Sequence, residues 1–294
     1  MFNMPITLKI EARDFYRDMP SIDHETGDIW NDLPGMALPY NNNNMGIVIS
    51  PACDLSQRKT ETVTLIPIIP IHDYFYSKAF YSEIWNEFYG RLKALGADNA
   101  SPPNRFSHPP TNFILSTIQN LEGNNKQSDL RRRLIAYRDY IEYTEASPDD
   151  RSMQRPSIEA ILTPQKTTGI LKKIFCNAFK SDIHFFPAYK TSSNFTTIPS
   201  HSVALFRYVY SIPIEILESA QASREEWWEE DRRRLTESTP LIDHFQRYPI
   251  KISRLKDDFL TDLLSRYLSM FMRLGSRDFT KATIDDFATD MKGL

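Results

Sequence analysis

The sequence predicts an α+β protein: a small β-barrel or curled sheet, a helical region inserted into it, and helices at the C-terminal end. Three observations lead there. Short β-branched and aromatic runs bounded by Pro, Gly and Asn occur before residue 72 and again over 184–217. Between and after these runs, apolar residues recur at helical spacing. The order is strands, helices, strands, helices, and not the βαβ alternation of a doubly wound parallel sheet. The chain divides accordingly into first barrel strands (1–72), a helical insertion (73–183), closing barrel strands (184–217) and a C-terminal helical region (218–294).

Each element has a local reason. Residues 6–10 alternate and read as a short strand, and residues 27–30 start another after a turn at 24–26. The asparagine run 41–44 favours a turn, because Asn tolerates positive φ and bonds its own backbone. Residues 46–49 read as a buried strand, 50–59 as a turn containing Pro51 and Asp54, and 62–66 as a strand ended by Pro67 and Pro70. Over 72–95, Phe75, Phe80, Ile84, Phe88 and Leu92 fall close to helical spacing, with Asp73 as N-cap and Gly96 as stop. Residues 99–110 hold four prolines and form a linker. Helices follow over 111–121, closed by Gly123, over 128–146, capped by Ser128, and over 170–179. Strands return at 185–189 and 202–210, before Pro213. A helix over 222–237 places Glu229 and Glu230 four residues ahead of Arg233 and Arg234. A short strand at 251–253 precedes a long helix over 256–274. Its stripe of Phe259, Leu260, Leu263, Leu264, Tyr267, Phe271 and Met272 reads as core, with Gly275 as stop. A last helix runs from 283 to 291.

Composition narrows the function classes. Eighteen Phe and fourteen Tyr promise large buried areas, so a packed core is expected. A net charge of −3 offers no global basic field to nucleic acid and leaves a local basic patch open. With two cysteines, Cys53 and Cys176, neither a disulfide framework nor a four-cysteine zinc site is indicated. The first residues are charged and lack a long apolar run, unlike a secretory signal. No stretch approaches about twenty apolar residues. A cytoplasmic protein without a membrane span is expected. No P-loop, dinucleotide fingerprint, nucleophile elbow or His-Glu-x-x-His pattern is present, so no cofactor and no metal are implied.

The candidate site residues are few. Cys53 and Asp54 follow a predicted buried strand, where a turn presents side chains outward. Cys53 is a candidate nucleophile if a base such as His72, His184 or His201 lies beside it. Alternatively it is a small buried residue, with Asp54 capping the turn. Arg131, Arg132 and Arg133 form a cluster suited to phosphate, or else the solvated face of a helix. Trp227 and Trp228 point about 100° apart on a helix, so both cannot face one core. One is expected at the surface, as a contact for a protein partner.

Residues 27–30 (Gly-Asp-Ile-Trp), 44–51 (Asn-Met-Gly-Ile-Val-Ile-Ser-Pro) and 63–67 (Val-Thr-Leu-Ile-Pro) resemble, in order and texture, the SH3-like barrel of the MazF/PemK toxin family. The resemblance implies an SH3-like fold and RNA cleavage. The sequence departs from the family where chemistry is carried. The family's Arg-Pro falls on Asn44-Met45, and its reactive Thr or Ser falls on Ile69. Neither replacement stabilises phosphate charge, which puts the toxin activity in doubt. The segment Ile-Ser-Pro-Ala-Cys-Asp-Leu at 49–55 also resembles a poorly characterised bacterial family often encoded near mobile elements or phage-defence genes. Its members share a later strand like 202–213 and a helix ending like Arg273-Leu274-Gly275.

The leading expectation is therefore a non-enzymatic interaction or sensing module of a bacterial toxin-type or phage-defence system. The alternative is an enzyme: a divergent MazF/PemK-like nuclease, or a hydrolase dependent on Cys53.

Overall fold

The computed structural model describes residues 10–17, 21–35, 44–95, 107–146, 154–190, 198–222, 228–236, 239–245, 247–272, 280–283 and 285. Eight strands form one sheet: β1 (Tyr16–Arg17), β2 (Asp28–Leu33), β3 (Asn44–Val48), β4 (Thr62–Pro70), β5 (Ile183–Phe186), β6 (Ser202–Leu205), β7 (Tyr210–Pro213) and β8 (Ile250–Leu255). The strand order is β1-β8-β2-β3-β4-β6-β5, with β7 also paired to β4. Every pairing is antiparallel. The sheet curls into a half-barrel, and with the helices it makes a mixed α and β fold.

β4 organises the sheet. It is expected to stop at Pro67 but runs nine residues, through Pro70. Residues 62–65 pair with β7 and residues 68–70 with β6. Pro67 falls where β4 changes partner, so its missing N–H costs no ladder bond on that edge. The same step explains why 202–210 is not one strand. The chain leaves β6, makes a 3₁₀ turn at Phe206–Tyr208, and re-enters as β7 beside the other half of β4. β8 departs further from expectation. It comes from the C-terminal region, is longer than 251–253, and lies between β1 and β2.

The helices are α1 (Ala12–Phe15), α2 (Ala52–Ser56), α3 (Ile71–Tyr74), α4 (Tyr81–Ala94), α5 (Thr111–Asn120), α6 (Ser128–Glu145), α7 (Ile158–Ile161), α8 (Pro164–Phe175), α9 (Ile214–Ala222), α10 (Trp228–Thr236) and α11 (Asp257–Met272). The predicted helix over 72–95 is two helices, α3 and α4, with a turn between them. Asp73 lies inside α3, and Phe80 precedes α4. Ser128 is the first residue of α6, not its cap. α8 starts earlier than 170, at Pro164. There Thr163 accepts from the Lys166 amide at 3.4 Å, an N-cap followed by proline. The expected strand at 6–10 and helix at 283–291, the turn residues 41–43, and the stops Gly96 and Gly275 lie wholly or mostly outside the described residues.

Strand alternation sends side chains to both faces of the sheet. Trp30, Leu33, Val48, Val63, Leu65 and Ile212 pack with Leu55 of α2 and with α9 and α10. Ile29, Ile47, Ile66, Ile68, Ala204 and Phe206 face the other way, against Leu260 and Leu263 of α11. Phe271 and Met272 at the end of α11 are exposed, which corrects the reading of the whole stripe as core. The helices α3–α8, between β4 and β5 in the chain, share a third core with Ile69, Val203 and Leu205.

That third core encloses a histidine. The His108 ring stacks on Tyr81 at 3.9 Å. The Thr144 hydroxyl donates to the Tyr140 carbonyl, so it accepts from His108 Nε2–H at 3.1 Å, and His108 Nδ1 accepts from the Tyr137 hydroxyl at 3.1 Å. This tautomer is neutral, and a second proton would displace the Tyr137 bond. Burial lowers the His108 pKa to about 4. Burial does the same to His184, to about 4, with Asp262 and Arg266 making smaller and opposed contributions.

The sign of the pH dependence follows. The unfolded chain takes up protons near the ordinary histidine value, about 6.5, and the folded chain resists until about 4. Stability is therefore full above about pH 6.5 and falls as pH drops towards 4, by on the order of 3 kcal/mol for each of the two groups. Urea unfolding between pH 7 and 4.5 is expected to show a falling midpoint. A midpoint constant over that range contradicts the assignment.

Candidate functional site

The most polar part of the interior is where residues 21–28 cross β8. Gly27 has a φ of +91°, and its amide donates to the Val48 carbonyl at 2.8 Å. A Cβ there would stand 3.0 Å from Leu260 Cδ2, so glycine fits and larger residues strain. Next in the chain, Asp28 is fully buried. Its Oδ2 accepts from the Glu25 amide at 2.9 Å and from Lys251 Nζ at 2.9 Å. Lys251 also donates to the carbonyls of Ser21 at 3.0 Å and Asp23 at 2.8 Å. Its three protons are thus spent, and its charge lies 5.6 Å from the centre of the Trp30 ring. Arg254, one turn of the strand pattern away, donates to the Thr26 carbonyl at 3.1 Å and pairs with Glu25 at 2.5 Å. Two cations of β8 therefore hold residues 21–28 in place.

The register of β8 explains this geometry. Ile29 pairs with Ser253 and Trp30 with Lys251, so β8 carries an irregularity at Ile252. The shift puts Lys251 directly opposite Trp30. Burial pushes the Asp28 carboxyl above its ordinary range, against the pull of Lys251. Burial first, then the Lys251 charge, lowers His24 to about 4. The His24 ring lies 5.7 Å from Trp30.

Beside this pair is a cavity of about 360 Å³ lined by Trp30, Gln221, Tyr248, Lys251, Ser21 and Ile22, among others. α9 closes one side. Gln221 Nε2 donates to the Ile22 carbonyl, and the Tyr248 hydroxyl donates to the Ala220 carbonyl. Four polar atoms in this neighbourhood have no hydrogen-bond partner among the described residues: His24 Nδ1, Asp28 Oδ1, Trp30 Nε1 and Gln221 Oε1. All four are sealed from solvent, a costly arrangement for polar atoms. None of these residues is a site candidate in the sequence. The signal present there was Gly27-Asp28 ahead of a strand, read for its barrel texture.

The residues singled out from the sequence lie elsewhere. Cys53 and Asp54 are in α2, a one-turn helix in place of the expected turn. Cys53 is exposed, which overturns the alternative that it is a small buried residue. Its thiol meets Asp54 Oδ1 at 3.6 Å. His72 pairs with Asp73, His184 is buried beside Asp262, and the His201 Nδ1 accepts from the Ala188 amide. The structure brings none of the three within described hydrogen-bond reach of Cys53. Asn44 and Ile69, the positions matched to the toxin's Arg-Pro and Thr, are both buried in strands.

Arg131 and Arg132 line a second cavity, also about 360 Å³, with Leu121, Gly123, Asn124 and Ser128. Each has an acidic partner: Glu122 at 3.3 Å and Asp129 at 2.7 Å. Arg133 is a correction. It is buried, donating to the Ile161 carbonyl at 2.6 Å and to Glu87 at 2.9 Å, and it ties α7 to α6. Burial opposes ionisation of Glu87, but hydrogen bonds from Lys166 and Arg133 outweigh it and hold that carboxyl below its ordinary value. Trp228 is a second correction. It is core, meeting Tyr248 edge to face at 5.6 Å, and offers no surface to a partner. Trp227 lies outside the described residues.

Among the described residues, no three or more His, Cys, Asp or Glu are grouped so as to hold a metal. No described helix is long and apolar enough to cross a membrane. Comparison of the chain with protein-family models, with curated proteins and with solved structures found no match.

The Asp28–Lys251 pair makes a direct prediction. Lys251→Met leaves Asp28 buried without its cation, and is expected to cost about 3–5 kcal/mol. Adding Asp28→Asn to that variant is expected to restore a large part of the loss. Urea unfolding of both variants checks this. Equal stability of the single and double variants would contradict a coupled pair.

Proposed function

We propose that the protein is a non-enzymatic interaction or sensing module of a bacterial toxin-type or phage-defence system, acting in the cytoplasm. In this reading the half-barrel is a divergent SH3-like barrel. The cavity lined by Ser21, Ile22, Trp30 and Gln221 receives a group from a protein partner. The observation that carries the proposal is that two residues lining the cavity, Trp30 and Gln221, hold unpartnered polar atoms, with those of His24 and Asp28 close by in the same segment of the fold. These atoms are buried and Gln221 is tied to Ile22, so a partner that satisfies them shifts the segment holding Ile22. Binding is thereby coupled to the position of a segment tied to β8, which is what a sensor requires.

The enzymatic alternatives draw less support. Activation of a thiol calls for a neighbouring cation or histidine base, and the described contact of Cys53 is with a carboxylate. The matched toxin positions, Asn44 and Ile69, face the interior and do not reach a substrate at the surface.

Size-exclusion chromatography with the products of the neighbouring genes tests the proposal. One neighbour is expected to co-elute, and Trp30→Phe with Gln221→Ala is expected to weaken that complex about tenfold, or ~1.4 kcal/mol. A chain that binds none of them and shows turnover alone contradicts it. Cys53→Ser with Asp54→Asn is expected to leave biological activity intact, and loss of activity in that variant would favour the hydrolase.

A further inference from the structure

The chain is acidic overall, but its charge is unevenly placed. Residues 160–213 hold five lysines and one arginine against a single acid, Asp182. Three of these cations are already neutralised: Lys166 by Glu87, Lys180 by Glu83 and Arg207 by Asp182. Lys172, Lys173 and Lys190 are exposed, and no described acidic side chain pairs with them.

Lys172 and Lys190 adjoin an aromatic surface, whereas Lys173, two residues before Phe175, points to the other side of α8. Phe175, three residues after Lys172 and so on the same side of α8, is 43% exposed. Its ring lies 5.0 Å from Phe185 of β5 and 5.8 Å from His201, and Phe185 and His201 are 5.7 Å apart. His201 is held by the Ala188 amide, which donates to its Nδ1 at 3.0 Å. In the neutral imidazole this places the remaining proton on Nε2, as a donor. Ala188 is two residues before Lys190 on the same stretch of chain. The three rings thus form one partly exposed platform, with Lys172 on the same side of α8 and Lys190 two residues beyond Ala188, neither paired with an acid among the described residues. Lysines in the last turn of a helix also offset its dipole, which accounts for Lys172 and Lys173 but not for Phe175 at the surface or for Lys190.

We propose that this platform binds single-stranded nucleic acid, with bases stacked on Phe175, Phe185 and His201 and phosphates beside Lys172 and Lys190. Exposed rings with cations beside them fit a ligand that alternates planar faces with negative charges. A duplex hides its base faces, so single strands are selected. The platform shares no residue with the cavity beside Lys251, and the inference stands without the sensing role.

Fluorescence anisotropy with a labelled fifteen-nucleotide poly-dT or poly-U strand tests it on the full chain. Binding is expected at low salt, with log affinity falling against log salt at a slope near −1.4, the value for about two phosphates on a single strand. Phe175→Ala is expected to weaken binding at least about fivefold, from loss of one stacked base. Lys172→Glu with Lys190→Glu is expected to reduce it further and to flatten the salt slope. All these positions are at the surface, and circular dichroism verifies that the variants fold. No binding at low salt overturns the proposal. So does equal affinity for duplex, or binding that Phe175→Ala leaves unchanged, since that marks general polyanion attraction. Binding of an acidic peptide in preference to the oligonucleotide would assign the platform to a protein and would also overturn it.

Discussion

The ammonium group of Lys251 ties three separated backbone and side-chain groups of the fold together. It reaches across from β8 to a buried carboxylate on β2 and to two carbonyls of the segment leading into β2. A buried ion pair adds little net stability over an apolar pair of the same size, but either half alone is strongly unfavourable. It therefore selects. β8 has to enter the sheet between β1 and β2 in the one register that puts Lys251 beside Asp28. Sliding by a residue would invert its faces and strand both charges. The Gly27 turn, the Arg254 contacts and the docking of α11 through Leu260 follow from that register. So does the cavity, because α9 and Tyr248 close over what the pair leaves beside Trp30.

How much of this was legible in the sequence depended on the range of the interactions. Local patterns read well. The short apolar runs at β3 and β4, and the helical spacing in α4, α5, α6 and α11, reflect periodicities of 2 and 3.6 that burial imposes directly. What failed was non-local. Pro67 reads as a terminator until β4 is seen to change partners there. A run of β-branched and aromatic residues at 202–210 reads as one strand, because nothing in it shows that β6 and β7 serve different halves of β4. The strand β8 reads as a minor element, and its place between β1 and β2 is set by pairing partners more than 200 residues away.

The candidate site followed the same rule. Cys53 and Asp54 stood out because thiols and carboxylates carry chemistry, yet chemistry needs a third group and, among the described residues, none is in contact with the Cys53 thiol. Arg133 looked like its neighbours Arg131 and Arg132 on a charged helix. One step round that helix it faces Glu87 and the Ile161 carbonyl and becomes a structural pin. Trp228 turned inward by the same 100° logic that required one of the pair to do so. The groups that matter most, Asp28 and Lys251, are ordinary surface-type residues in a sequence, and only burial makes them notable. Cavity and aromatic platform also draw on different parts of the sheet: β2 and β8 for one, the β5 edge for the other.

The central claim is that Lys251 holds residues 21–28 against the sheet. Amide hydrogen exchange of the Glu25, Gly27 and Asp28 N–H groups, compared between the natural chain and Lys251→Met under conditions where both remain folded, reads this directly. The account predicts that these three amides lose protection while β3 and β4 amides, such as that of Ile47, keep theirs. Unchanged protection at Glu25, Gly27 and Asp28 in the variant would contradict it.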